Sequence, residues 1–358
     1  MKKKILIVGG YGNVGGVISR QLGGQFPGNI IVAGRDYKKA SAFSAELNGA
    51  VIPAAFDISK MSTGLELLDD VGIVIMCLDQ TTSEFVRHCF RRGIDYIDIS
   101  ASGRFLSAVE ELHEEAIEGG ATGVLSVGIA PGLTNLLTKY CQSRVPGMAY
   151  ADIFILLGLG DAHGEAAIRW TIDNVDTEFE IQDAGKSRRV KSFREGRKTA
   201  FSGGFGERTA FRFNFSDQQV LPKTLGLKGV STRLCFDSAL ISYLFAVSNR
   251  IGLSKLFALQ GVKDLLVGVL KRLRLGSDEF VIKVEGGRRS EEKANYACSL
   301  RGAEEGRITG LVAAKVAQKL SISSFPSGVF HIEQLFEPLE FLDSLGNHGM
   351  VFEEQEFA

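Results

Sequence analysis

Lys4-Ile5-Leu6-Ile7-Val8-Gly9-Gly10-Tyr11-Gly12-Asn13-Val14-Gly15 opens the chain with a short apolar run that passes directly into G-x-G-x-x-G. Ile5–Val8 reads as a strand, and Val14–Leu22 has helical patterning. A strand, that glycine spacing and a helix are the parts of a dinucleotide-binding turn. The first glycine (Gly10) permits a tight turn, the second (Gly12) lets backbone amides approach a pyrophosphate, and the third (Gly15) lets helix and strand pack closely. The helix N-terminus then presents N–H groups to the phosphates. On these residues alone, S-adenosylmethionine or a flavin on the same architecture stays open as the ligand.

The same rhythm continues to about residue 130. Apolar runs recur at Ile30–Ala33, Val51–Ala55, Val71–Leu78, Ile94–Ile99 and Val124–Val127, separated by helical stretches at Lys38–Leu47, Ser83–Arg91 and Leu106–Ile117. Strand alternating with helix predicts an α/β fold with a doubly wound, parallel Rossmann sheet. The runs are continuously apolar, as expected for strands covered on both faces. After Gly132 the pattern changes. A helix is predicted at Leu133–Cys141, and longer, irregular strands at Ala151–Leu157, Thr209–Phe215, Ser231–Phe236, Glu279–Val284 and Tyr296–Leu300. Helices are predicted near Ser238–Arg250, Lys255–Leu273 and 303–320, then Glu337–Leu345, with a last strand at Met350–Phe352. This predicts a second, α+β domain on a mixed or antiparallel sheet.

Composition narrows the function classes. The 358 residues suit two domains at about 150 residues each. Basic and acidic residues balance at 41 against 42, which argues against nucleic acid as the partner. Five cysteines without a C-x-x-C pair point to reduced thiols, a cytoplasmic setting and no disulfide framework. Five histidines without metal-ligand spacing predict no metal, and no apolar run approaches a transmembrane segment. Glycine is in excess, at 42 residues, and part of that excess falls where a ligand would pass.

The end of the second predicted strand bears on the cofactor. A carboxylate that binds the ribose is expected there, yet Gly34 occupies the position and Arg35 follows. The missing carboxylate removes repulsion against a 2′-phosphate, and a guanidinium pairs with one. NADP is therefore expected, with NAD as the alternative through Asp36. Further strand ends should line the crevice: Asp57-Ile58, Cys77-Leu78-Asp79, Asp98-Ile99-Ser100-Ala101 and Gly128-Ile129-Ala130-Pro131-Gly132. Asp57 is placed to accept from an adenine amino group, and Ser100 with the 128–132 turn for the nicotinamide end.

With these segments in order, the chain resembles the saccharopine dehydrogenase family, in its saccharopine-reductase-like branch. The resemblance runs through Gly10–Gly15, Gly34-Arg35, Asp57-Ile58, Asp98–Ala101, Gly128–Leu137, Arg169-Trp170-Thr171 and the stretch from Ser327 to Gly349. It implies a Rossmann domain at 1–132, completed by about 303–358, and a substrate and dimerisation domain at 133–302. It also implies NADP-linked hydride transfer at a C–N bond (an imine or secondary amine) of an amino-acid-like substrate. Such an enzyme is a dehydrogenase or reductase acting on the CH-NH group of donors, often a homodimer. Carried over by position, the cofactor contacts are Gly10, Tyr11, Gly12, Asn13, Val14, Gly15, Gly34, Arg35, Asp57, Ile58, Cys77, Ser100, Ala101, Ile129, Ala130, Pro131 and Trp170. Substrate contacts fall at Ser100, Ala101 and Arg233. The family's junction carries Asp before Pro-Gly, and here the residue is Ala130.

Other features admit two readings. Trp170, the only tryptophan, is either packing or a cofactor contact. Arg233 lies in an apolar strand, where a charge needs a counter-ion: a carboxylate of the substrate or a structural partner. No side chain stands out as general acid or base; His163, Glu165, Asp173, Asp79 and Asp98 read as structural. Lys186–Lys198, with seven basic residues, reads as a solvated hairpin, and the amphipathic Val262–Leu273 as a core or dimer-interface helix rather than a membrane-surface one. Two alternatives to the amino-acid substrate stay open: an NADP-dependent reductase of an apolar lipid or isoprenoid carbonyl, and a nucleotide-binding scaffold without turnover.

Overall fold

The computed structural model describes residues 4–161, 164–272, 276–288 and 294–357. Two compact units emerge: Met1–Leu133 with Arg307–Leu345, and Thr134–Gly306 with Gly346–Ala358. In the first, strands β1 (Lys4–Val8), β2 (Ile30–Gly34), β3 (Ile52–Ala55), β4 (Val71–Met76), β5 (Asp95–Asp98) and β6 (Thr122–Leu125) form a parallel sheet. Its order is β3-β2-β1-β4-β5-β6, extended by a seventh strand, Gly328–His331, on the β6 edge. Ile5, Leu6, Ile7 and Val8 have no exposed surface, because β1 is an interior strand, paired with β2 and β4 and covered on both faces. Helices α1 (Asn13–Gln25) and α2 (Tyr37–Glu46) follow β1 and β2.

The stretch expected as one helix over 106–117 is two, Gly103–Glu110 and His113–Gly119, and the second ends on Gly120 in the left-handed conformation. The seventh strand begins at the end of Pro326-Ser327-Gly328, residue types that favour a turn, so local pattern alone does not announce it. It is tied across by side chains: Ser126 Oγ lies 2.8 Å from His331 Nδ1, and His331 Nε2 lies 2.9 Å from Glu110 Oε1.

The second unit is a mixed seven-stranded sheet. In chain order its strands are β7 (Tyr150–Leu157), then β10 (Arg197–Phe201), β11 (Gly206–Arg212), β12 (Gly229–Phe236), β13 (Glu279–Gly287) and β14 (Tyr296–Ala303). A separate hairpin, β8 (Glu178–Asp183) with β9 (Lys186–Lys191), intervenes between β7 and β10. With Gly328–His331 counted as β15, the last strand is β16 (Val351–Glu356), and the sheet order is β10-β11-β12-β7-β13-β14-β16. Only β12 and β7 run parallel. The sequence reading placed all of 303–358 with the first unit, but β16 pairs along β14 from Tyr296 to Arg301. Hydrogen bonding to an open edge, not local pattern, decides which sheet a terminal strand joins.

The basic stretch at 186–198 begins as the exposed strand β9, consistent with a solvated hairpin. The predicted helix 255–273 divides into a 3₁₀ segment, Leu253–Ala258, and a helix, Gln260–Arg272; Leu273 and Arg274 lie outside the described residues. Of the predicted members of the Trp170 neighbourhood, His163 also lies outside them.

Candidate functional site

Parallel pairing brings the carboxyl ends of the first sheet's strands to one edge. Val8 stands beside Ala33 and Met76, Gly34 beside Ala55, and Met76 beside Asp98. Chain order reverses at β1, with β2 and β3 on one side and β4 to β6 on the other, so the turn after β1 sits at the switch point where such sheets bind ligands.

The glycine turn has the close contacts its spacing predicts, with one shift. Gly9, not Gly10, takes the left-handed backbone, at φ +81°, so the tight turn precedes the fingerprint by one residue. A Cβ on Gly15 would fall 2.2 Å from the Gly9 carbonyl oxygen and 2.9 Å from Gly10 Cα. Only glycine lets α1 start this near β1. Gly12 is the N-cap of α1 and offers no side chain to cap it, and the first turn holds no acid. This helix terminus, uncapped by any side chain and free of acids in its first turn, fits a pyrophosphate. Gly12 and Asn13 are exposed, and Tyr11 and Val14 half-buried.

The end of β2 explains its glycine. A Cβ on Gly34 would meet the Tyr11 hydroxyl at 2.4 Å and its ring at 2.6 Å, so Tyr11 fills the space where a ribose-binding side chain would begin. The Tyr11 hydroxyl accepts from the Asp36 amide at 3.2 Å. Asp36 itself caps α2, its Oδ1 accepting from the Lys38 and Lys39 amides at 2.9 and 3.2 Å. Its carboxylate is therefore engaged in the cap that its type and position favour. Arg35 stands exposed between the two. Sequence reasoning passed over Lys38 and Lys39, both exposed in the first turn of α2 just after Arg35; their proximity is legible once the helix start is known.

Asp57 also caps. Its Oδ1 accepts from Ser59 N at 3.0 Å and Ser59 Oγ at 2.7 Å, and these bonds hold its carboxyl below the usual range, helped by Lys60 and Arg35. Ile58 opens the 3₁₀ turn that Asp57 caps and packs on the sheet core. Cys77 N donates to Val8 O at 3.0 Å. Desolvation, then the charge of Asp98, pushes the Cys77 thiol far above its ordinary value, so it offers no thiolate nucleophile.

Asp98 anchors the next turn. Its Oδ1 accepts from Ser100 N at 2.7 Å, and its Oδ2 from the Tyr96 hydroxyl at 2.6 Å. The Ser100 hydroxyl accepts from Ser102 N at 3.2 Å, and Ser100 is buried while Ala101 is partly exposed. Burial pushes the Asp98 carboxyl up to about 7, against the lowering effect of the Tyr96 and Ser100 bonds, and Asp79 adds to the rise. Asp79 is raised by burial as well.

Folded Asp98 keeps its proton from 3.8, its ordinary value, up to about 7, a window in which the unfolded chain has lost it. Stability from this group is therefore fully present below that window and is lost as pH rises through it. Asp98→Asn should flatten the fall of the urea midpoint across the window; an unchanged slope would show that Asp98 titrates at its ordinary value.

At the end of β6 the turn carries a cis peptide at Ala130-Pro131 and a left-handed Gly132, and Leu133 N donates to Gly128 O at 2.8 Å. Ile129 and Pro131 are buried and Ala130 partly exposed.

Trp170 and Arg233 belong to the second unit and have partners there. Trp170 lies in the helix Glu165–Asn174, its ring centroid 5.5 Å from that of Phe213 and 5.3 Å from that of Phe215. Asp173 pairs with Lys263, and Glu165 with Arg169. Arg233 forms an ion pair with Asp152, and its Nε donates to Glu195 O at 3.2 Å. A buried charge at this position needs a counter-ion, and Asp152 of the same chain supplies one.

Residues 5–124 match the family model described as the saccharopine dehydrogenase NADP binding domain. Among solved structures, the fold is similar to apo saccharopine dehydrogenase (L-Glu forming) from Saccharomyces cerevisiae, with a TM-score of 0.63 at 14% identity over 99% of this chain and 100% of that one. It is also similar to homospermidine synthase from Legionella pneumophila in complex with NAD, with a TM-score of 0.67 at 12% identity over 100% of this chain and 92% of that one. At these identities the two structures speak for the fold, and the family model speaks for the cofactor. Residues 5–124 thus match the NADP binding domain of the saccharopine dehydrogenase family, and the whole chain shares its fold with the two solved structures.

Proposed function

We propose that this protein is an NADP-dependent oxidoreductase that transfers hydride at a carbon–nitrogen bond of an amino-acid-like substrate. The observation that carries the reading is the end of β2, where Tyr11 excludes a side chain at Gly34, Asp36 is engaged as a helix cap and Arg35 is left exposed. In this reading Gly10 to Gly15 hold the pyrophosphate and Arg35 pairs with the 2′-phosphate. Asp57 and Ile58 border the adenine. Cys77, Ser100, Ala101, Ile129, Ala130 and Pro131 border the nicotinamide, and Ser100 with Ala101 also meets the substrate. The bound cofactor supplies or accepts the hydride. The chain positions the two partners, which is the larger part of what such a site contributes. Asp98 is a positioning residue here, since it holds the Ser100 amide. The proposal gives no role to Trp170 or Arg233 and assigns no general acid or base.

Support for the C–N bond comes from the similar structures, one named for forming L-Glu and the other for making an amine, homospermidine. The test is a screen for NADPH oxidation with 2-oxo acids, each paired with amino acids or amines. Turnover is expected with at least one pair. Ala130, partly exposed where the family's junction carries Asp, favours a second reading in which the substrate is an apolar carbonyl. Turnover with apolar carbonyls alone would replace the first reading by the second, and tight NADPH binding without any turnover would leave a nucleotide-binding scaffold.

A further inference from the structure

Sixteen large apolar side chains stand exposed among the described residues, and ten of them fall between residues 239 and 272, about a tenth of the chain. Singly exposed apolar residues are ordinary, whereas a cluster marks an interaction surface. Each of three successive elements shows its apolar stripe outward at its own period. In the helix Ala239–Arg250 the stripe is Leu240, Tyr243, Leu244 and Val247, continued by Ile251, at i, i+3, i+4, i+7 and i+11. Its buried side holds Ser242, Ala246, Ser248 and Asn249, the reverse of a helix built only to cover a core. In the 3₁₀ segment Leu253–Ala258, Leu253 and Leu256 are exposed, with Leu259 just beyond; a period of three sets these on one side. In the helix Gln260–Arg272, Leu265 and Val269 are exposed at i and i+4, while Val267 is buried against Ile168 and Ile172.

Charge identifies the occupant. In sequence, residues 239–272 hold Arg250, Lys255, Lys263, Lys271 and Arg272 against a single acid, Asp264, in a chain whose net charge is −1, and of these bases Lys263 is already paired with Asp173. Arg250 and Lys255 are exposed beside the apolar stripes. The acids packed nearby are matched by bases: Asp264 pairs with Arg169, Asp173 with Lys263 and Asp176 with Lys191. A second copy docked across a two-fold axis would set this basic face against itself. An anionic bilayer presents the opposite charge over an apolar interior, and accepts apolar helix faces lying in its plane. No helix among the described residues is long and apolar enough to cross a membrane, so attachment would be to the surface.

We propose that residues 239–272 form a docking face for an anionic lipid bilayer. This rests on the surface alone and stands or falls separately from the reaction. The experiment is co-sedimentation of the full chain with vesicles of phosphatidylcholine alone and with a quarter phosphatidylglycerol, at low and high salt. Binding is expected to the anionic vesicles and to weaken with salt. Combining Leu244→Glu, Leu256→Glu and Leu265→Glu should lower the partition coefficient by roughly a hundredfold with NADPH affinity unchanged. A second variant, Arg250→Glu with Lys255→Glu, should abolish the preference for anionic over neutral vesicles, which keeps the test valid should the first variant fold poorly. Absence of wild-type binding would overturn the proposal, as would binding that neither variant alters. A dimer that the leucine substitutions dissociate, without lipid binding, would assign the face to a second copy instead.

Discussion

Asp152→Ala should destabilise the protein by about 3–5 kcal/mol, read as a fall in the urea midpoint at constant m. Asp152 pairs with both Arg233 and Arg197. Register sets Arg233 and Lys283 on either side of Phe154, and Glu285 beside Asp152, so the charges share one face of the sheet. Glu285 completes the group, 2.9 Å from Lys283 and 3.6 Å from Arg197. Arg233 has 9% of its side chain exposed, and removing its carboxylate leaves that guanidinium desolvated and unmatched. The effect therefore comes less from the bond lost than from the charge stranded. Asp152→Ala combined with Arg233→Met should recover a substantial part of the loss, because the stranded charge is then gone. A single-variant cost within the range of an exposed ion pair, below about 1 kcal/mol, would show that solvent reaches the network.

NADPH should bind at least about tenfold more tightly than NADH, and Arg35→Ala should erase most of that ratio while leaving NADH affinity nearly unchanged. Charge-assisted hydrogen bonds contribute about 1.5–3 kcal/mol, which is about ten- to a hundredfold in affinity. Tyr11 covers Gly34, and Asp36 Oδ1 is held by the cap of α2, which disfavours turning that carboxylate to the ribose hydroxyl. Parallel titrations of the two cofactors measure both constants. Equal affinities in the wild type would remove the assignment of Arg35, and an undiminished ratio in the variant would transfer it to Lys38 and Lys39.

Much of the first unit was legible in the residues. Continuous apolar runs separated by helical stretches announce buried parallel strands, and the glycine spacing announces the turn after β1. What escaped there was contextual. Gly9 rather than Gly10 takes the left-handed backbone, and Gly328–His331 becomes a strand only because β6 offers it an edge. The second unit was harder to read. Its strands at 178–201 carry many charged residues, whose ion pairs, such as Arg188 with Asp183 and Arg197 with Asp152, exist only after folding.

Residues 4–15, with the strands that echo them, determined the parallel sheet and the nucleotide turn, because backbone sterics and solvent exclusion act locally and leave a period in the sequence. Arg233 and the 239–272 face were decided only by tertiary structure. The sequence shows a charge in an apolar strand, and pairing across strands then supplies its counter-ion. It shows a helix with one apolar side, and packing then turns that side outward. A periodic pattern records that a face differs from its opposite; only neighbours far apart in the chain determine which face they cover.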